Sequence, residues 1–256
     1  MRIQIVGAHN CESQDFRFAC LLIDDILAID AGGLTSSLSF SAQLQLKAIL
    51  LTHHHYDHIK DIPTIAMNFY LSGTTITLYS TKHVLDILTA YLMDGKLYPN
   101  FLERPPENPT IKPTIIEPFK IVQYEGFSIL PIPVKHSAHS VGYQVTCPDG
   151  KAVFYTGDTG SGLHVCWEHV SPQLLIIEVT LPNKFEEHAT EAKHLTPALL
   201  HHELTVFQKA KDYLPQVITV HMNPNLEKEI REEIAIVSRA LNVEIIPGYE
   251  GMQIEL

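Results

Sequence analysis

At 256 residues, 45% hydrophobic and 18% charged, the chain has material for a large buried core, which excludes a disordered or fibrous protein. Its formal charge of −11 comes with no Lys/Arg cluster, which argues against a long nucleic acid as partner. A small phosphorylated ligand stays open, because bound cations invert the local field. No apolar run approaches the roughly 20 residues of a membrane span. Residues 1–6 alternate like a strand rather than a signal peptide, so a cytoplasmic protein is expected.

In chain order, strands are predicted at 2–6, 18–23 and 26–29, with Asp24-Asp25 as the turn between the last two, then at 48–52 and 75–79. Further strands follow at 127–131, 142–146, 152–155, 174–178, 217–220 and 243–246. Many are unbroken apolar runs, as expected of strands covered on both faces. Helical spacing marks 59–70, 82–93, 197–213 and 226–241. The stretch 94–118 carries six prolines, which forbids a regular element through most of its length; it reads as a surface connection, with a lid or dimer-contact loop as alternatives. No repeat or linker divides the chain, so one domain over 1–256 is expected. Cys11, Cys20, Cys147 and Cys166 show no C-x-x-C spacing and read as small apolar residues in the core or at its edge.

Three strands run directly into metal-type ligands. Ala48-Ile49-Leu50-Leu51-Thr52 leads into His53-His54-His55-Tyr56-Asp57-His58, Phe154-Tyr155-Thr156-Gly157 into Asp158, and Val217-Ile218-Thr219-Val220 into His221. Sites in open α/β sheets gather at strand C-terminal ends, so these groups can converge there. Imidazole and carboxylate together suit Zn²⁺, Mn²⁺ or Fe, and a carboxylate can bridge two cations. A His-rich loop with no metal is the competing reading of 53–58 taken alone.

The run Thr52–His58 resembles the T-H-x-H-x-D-H signature of the metallo-β-lactamase superfamily; Gly157-Asp158 resembles its later bridging aspartate, and His221 its final metal histidine. The resemblance implies an α/β fold, a four-layer αββα sandwich, with two divalent metal ions: zinc, or manganese or iron. His53, His55 and His136 would hold one, Asp57, His58 and His221 the other, and Asp158 would bridge. Between His136 and His139, the six-residue spacing to Gly142-Tyr143 selects His136, as in related phosphodiesterases and ribonuclease Z-type enzymes. His139 is left as either a group near the substrate or a solvated loop residue.

Glu178-Val179-Thr180 and His194-Leu195-Thr196-Pro197 resemble elements of the ribonuclease Z-like branch, with the His-Leu-Thr-Pro form similar to class II cyclic-nucleotide phosphodiesterases. Val179 stands where the family has Ala and Lys193 where it has Gly. The resemblance makes Asp57, Glu178 and His194 the catalytic set, with a metal-bridging hydroxide as nucleophile, His194 as general acid and Glu178 orienting it. Read without it, His194 is a histidine beside the N-cap of the helix opened by Thr196-Pro197. Asp30 with Gly32-Gly33 resembles the family's early turn and would support the histidine loop. His9, His83, His164, His169, His188, His201 and His202 are left as surface or packing residues.

Hydrolysis of 3′,5′-cyclic nucleotides is therefore the leading expectation, with a small phosphorylated substrate as partner. Ribonuclease Z-type tRNA 3′ processing comes second, because 94–118 is not a convincingly basic arm. Ester, thioester or lactone hydrolysis comes third, since it has no need of the Glu178/His194 pair. A flavodiiron-like redox site would want Glu in place of His55, and a degenerate binding protein would have lost ligands. A homodimer is compatible with the resemblance, but no residue marks an interface.

Overall fold

The computed structural model describes residues 1–137 and 139–256. Two seven-stranded sheets pack face to face. The first takes β1 (Arg2–Gly7), β2 (Cys20–Ile23), β3 (Leu27–Ile29), β4 (Ala48–Leu50), β5 (Ile76–Ser80) and β6 (Ile111–Ile115). The second takes β7 (Val122–Tyr124), β8 (Phe127–Pro133), β9 (Val141–Thr146), β10 (Ala152–Tyr155), β11 (Leu174–Glu178), β12 (Gln216–Val220) and β13 (Ile245–Pro247). The chain then returns to add β14 (Gln253–Glu255) outside β1, giving orders β14-β1-β2-β3-β4-β5-β6 and β13-β12-β11-β10-β9-β8-β7.

Both sheets follow one plan. From β14 to β3, and from β7 to β10, three successive pairings are antiparallel. From β3 to β6, and from β10 to β13, three are parallel. The apolar runs are continuous because each strand is covered on both sides. In β3, Leu27 and Ile29 point into the inter-sheet core and Ala28 into the outer one; in β11, Leu174 and Ile176 point inward and Leu175 and Ile177 outward. The outer cores are closed by helices such as Ile62–Ser72 on the first sheet and Pro197–Lys211 and Glu227–Leu241 on the second. The result is the expected α-β-β-α layering.

Pro197–Lys211 begins where the sequence placed its cap: the Thr196 side chain accepts from Leu199 N–H and Pro197 occupies the first turn. Elsewhere the boundaries move. The helix expected over 59–70 is two pieces, Tyr56–Ile59 and Ile62–Ser72, and that over 82–93 is Lys82–Ile87 followed by a π-helical turn, Leu88–Leu92. The proline-rich stretch needs correction. Its Ile111–Ile115 portion is a strand, with Pro113 tolerated because β6 is an edge, and Phe101 is buried in the outer core. Cys11 is exposed rather than at the core; all four cysteines are free. No helix among the described residues is long and apolar enough to cross a membrane.

Candidate metal centre

The parallel strands of both sheets deliver their C-terminal ends to one place. His53, His55 and His58 follow β4, Asp158 follows β10, His221 follows β12, and His136 follows β8. Their ligand atoms form two groups, His53, His55, His136 and Asp158 on one side and Asp57, His58, Asp158 and His221 on the other, each with its atoms within 4.8 Å of one another. Asp158 is common to both. Its Oδ1 lies 3.3 Å from His58 Nε2, while Oδ2 lies 3.7 Å from both His53 Nε2 and His136 Nε2 and 3.4 Å from His221 Nε2. Asp57 Oδ2 stands 3.5 Å from His58 Nε2 and 3.3 Å from His221 Nε2. The seven residues assigned to metals from the sequence are thus brought together in the predicted grouping.

The cluster suits cations. His53 Nε2, His58 Nε2 and Asp158 Oδ1 are buried with no hydrogen-bond partner, a costly arrangement unless something else satisfies them. Burial, with the neighbouring imidazoles, lowers the proton affinity of His53, His55 and His136, which keeps their lone pairs open. Burial raises the Asp57 carboxyl, but His58 and His221 outweigh it and bring it down to about 2; His221 and His58 likewise hold Asp158 well below the usual carboxylate range against its burial.

Groups behind the ligands fix their orientation. Asp30, at the end of β3, accepts from His58 Nδ1–H (2.8 Å), Thr52 N–H (2.8 Å) and the Thr52 hydroxyl (2.9 Å), and that hydroxyl accepts from His53 Nδ1–H (2.9 Å). His136 Nδ1–H donates to the Lys193 carbonyl at 3.1 Å, and Lys193 Nζ donates to the His136 carbonyl at 2.8 Å. Lys193 has φ 59°, a conformation that glycine adopts freely, which is the physical reason for the family's glycine at that place. Two glycines let the loops close. A Cβ on Gly32 would stand 2.0 Å from the Asp57 carbonyl oxygen, and one on Gly157, at φ 59°, would stand 3.0 Å from the Thr52 side chain.

The catalytic pair expected from the sequence is also assembled. His194 Nδ1–H donates to Glu178 Oε1 at 2.6 Å, leaving Nε2 free, and the His194 ring lies 4.8 Å from His136 and 5.3 Å from His221 between centroids. Glu178, fully buried at the end of β11, also accepts from Thr159 N–H (3.1 Å), Leu195 N–H (3.2 Å) and the Thr180 hydroxyl (2.8 Å). Glu178, His194 and His221 also bring one ligand atom each within 4.8 Å of one another, but the Glu178 oxygens are filled by protein donors, as suits an orienting group. Burial lowers His194's proton affinity, but the Glu178 charge and hydrogen bond, aided by Asp158, raise its pKa to about 9.

Sequence reasoning assigned no role to Thr52 or Thr180, although both lie in quoted motifs. Thr180 accepts from His221 Nδ1–H at 2.9 Å. It also left His83 as a surface or packing residue. His83 instead lies 5.2 Å from His54 and 4.8 Å from His139 between ring centroids, beside the metal loop. His9 is buried, with Nδ1 2.6 Å from Glu250 Oε1, far from any ligand role.

Comparison with known proteins agrees with this reading. A UPF0173 metal-dependent hydrolase of Polynucleobacter asymbioticus is 27% identical over 224 residues, 81% of this chain and 69% of that protein. Among solved structures, unliganded yeast PDE1 superposes with a TM-score of 0.86 at 15% identity, covering 100% of this chain and 99% of that one. Human short-form tRNase Z gives 0.71 at 17% identity, covering 100% and 99%. The beta-lactamase superfamily domain model matches residues 34–222, a span that holds every one of the seven clustered His and Asp residues. On that match and this buried cluster, the chain belongs to the beta-lactamase superfamily as a metal-dependent hydrolase.

Proposed function

We propose that this protein is a metal-dependent phosphodiesterase acting on 3′,5′-cyclic nucleotides. The observation that carries the reading is the Glu178–His194 pair, joined at 2.6 Å beside the cluster with His194 Nε2 left free. Alkoxide is a poor leaving group, so phosphodiester cleavage gains from a positioned proton donor, typically 10²–10⁴-fold in such roles. Acyl transfer from an activated ester or thioester has less need of it.

His53, His55, His136 and Asp158 would hold one divalent cation, and Asp57, His58, His221 and Asp158 a second; zinc fits the ligand types, with manganese or iron as alternatives. Bound there, the ions supply Lewis-acid charge to the phosphoryl oxygens and lower the pKa of water, providing a nucleophile at neutral pH. The rest falls to the chain's own residues. Glu178 fixes the His194 ring through Nδ1 and favours its protonated form. His194 Nε2–H then protonates the departing 3′-oxygen. Asp57 and Asp158, held ionised, would repel a phosphate unless cations neutralise them, so the substrate would bind the loaded protein.

Tests begin with the Zn²⁺- or Mn²⁺-loaded protein and 3′,5′-cyclic AMP, with 5′-AMP detected by chromatography and an Asp158→Ala protein alongside. Product from the wild type alone is the expected result. No product from demonstrably metal-filled wild type overturns the cyclic-nucleotide assignment.

A further inference from the structure

A cavity of about 680 Å³ opens beside the metal loop, within the roughly 300–1,000 Å³ usual for small-ligand sites. It lies where β5 and β6 end and where the chain passes from β8 to β9. Its lining includes the aliphatic Ile115, Val134 and Val141 and the imidazoles of His83 and His139, whose rings lie 4.8 Å apart and tilted by 40°. Rings lead from the metal centre to this wall: His55 to His54 at 5.4 Å, then His54 to His83 at 5.2 Å.

The charges at the rim cancel locally. Lys82 Nζ donates to both oxygens of Asp86 at 2.6 and 2.8 Å, and Glu117 pairs with Lys120 at 2.6 Å. A second phosphate would want an unpaired cation here, and this wall holds none among its described residues. A lining of aliphatic side chains and imidazoles suits a flat, uncharged heteroaromatic ring instead.

We propose that this cavity receives the base of the nucleotide, stacked against His83 and His139 and packed on Ile115, while the phosphate lies at the metal cluster. The identity of the ligand rests on the phosphodiesterase reading; the position of the pocket does not. His83 and Ile115 are then specificity-determining residues, and neither touches the reacting atoms.

The experiment is calorimetric binding of 5′-AMP and of ribose 5-phosphate to the metal-loaded wild type, His83→Ala and Ile115→Asp proteins. Stacking predicts that the wild type binds 5′-AMP at least about tenfold more tightly than ribose 5-phosphate. Both variants should bring the two ligands to within about threefold while leaving ribose 5-phosphate affinity unchanged, which also certifies the fold; Ile115 is 56% exposed and its replacement leaves the core intact. Equal affinities in the wild type, or a preference that survives in both variants, overturn the pocket. Turnover of cyclic AMP is scored separately. A base preference lost in the variants without any turnover keeps the pocket and removes the phosphodiesterase reading, whereas turnover without base preference does the reverse.

Discussion

The two sheets repeat not only their strand plan but also the polar groups at the strand ends. In the first, a buried carboxylate (Asp30) holds one imidazole directly, His58 Nδ1 at 2.8 Å, and a second through a threonine hydroxyl, Thr52 to His53 Nδ1 at 2.9 Å. In the second, Glu178 holds His194 Nδ1 at 2.6 Å and, through Thr180, His221 Nδ1 at 2.9 Å. Thr52 and Thr180 each stand two residues beyond their strand, β4 and β11. The arrangement is the same and the outcome is not. His58 Nε2 is aimed at Asp158 and Asp57, whereas His194 lies outside both groups that share Asp158 and falls with Glu178 and His221; on the proposed function it keeps Nε2 for a proton. On the proposed function, the module of the first half serves metal ligands alone, while that of the second holds one metal ligand, His221, and the acid, His194.

The sharpest contrast lies in the aspartates that follow the equivalent strands β3 and β10. Asp30 is saturated by protein donors, whereas Asp158 Oδ1 has none and its imidazole neighbours stand at 3.3–3.7 Å. Asp158→Ala should therefore remove activity by at least roughly 10³-fold, beyond the 10–100-fold typical of groups behind the ligands, with loss of bound metal by elemental analysis. Asp30→Asn should instead destabilise the metal-free fold by about 2–4 kcal/mol in urea denaturation, because it unpairs buried donors. If the metal-free Asp158→Ala protein loses more stability than Asp30→Asn, the two carboxylates have been assigned the wrong way round.

Exchanging the carboxylate tests the second module. The charge of Glu178 raises His194, so the protonated imidazole is fully present below the ordinary histidine pKa and is lost as pH rises through its raised value of about 9. Activity that needs this proton falls on the alkaline side. Cations bound beside the ring would bring that limb down from 9, and Glu178→Gln should move it further to lower pH, by about one unit or more, with kcat reduced about 10²-fold or more on cyclic AMP. Substrates with a p-nitrophenolate leaving group, which needs no proton, should show much less loss. An unshifted alkaline limb would separate Glu178 from the chemistry.

The threonines give a smaller effect. Thr180→Val and Thr52→Val keep the shape and remove the hydroxyl that joins carboxylate to imidazole, so metal affinity should drop about 10–100-fold in each. Only Thr180→Val should also disturb the pH profile, because its hydroxyl lies 3.3 Å from His194 Nδ1 as well. Equal profiles in the two variants would mean that the modules are alike in function as well as in form.

These threonines mark where sequence reasoning stops. Six of the seven clustered His and Asp residues could be read because each follows an apolar run, and strand ends converge; His136 came from the resemblance, through its spacing to Gly142-Tyr143. The linking hydroxyls could not, since each joins a near neighbour in sequence, His53 or Glu178, to a partner 22 or 41 residues away, Asp30 or His221, that depends on which strands become neighbours. The same limit applies to His83, which declares itself only once the segment after β5 meets His54 and the loop before β9. Among strands, the three left unread were β6, β7 and β14, and all are sheet edges. Edge strands are half exposed, so Lys112 and Pro113, Gln123, or Gln253 and Glu255 interrupt the apolar run by which the central strands are recognised.

The smallest predicted effect concerns the seam where the chain leaves the second sheet for β14 on the first. Glu250 stands in that crossing and accepts from His9 Nδ1–H (2.6 Å), Arg17 N–H (3.0 Å) and Ala8 N–H (3.4 Å), tying the crossing to the loop after β1. Burial raises its pKa, but the hydrogen bonds from His9 and the Arg17 backbone outweigh that and leave it lowered. A carboxylate with a depressed folded-state pKa stabilises the fold above its unfolded value, about 4.3, and loses that contribution as pH falls through the folded one. Glu250→Gln should therefore cost about 1–2 kcal/mol at pH 7, the range of a partly exposed charge-assisted bond. Denaturation curves of the two proteins should converge in acid, once the pH is below the depressed folded-state pKa. A gap that persists undiminished in acid would show that Glu250 acts through packing rather than charge, and that the seam between the halves, unlike the modules at their strand ends, is not electrostatic.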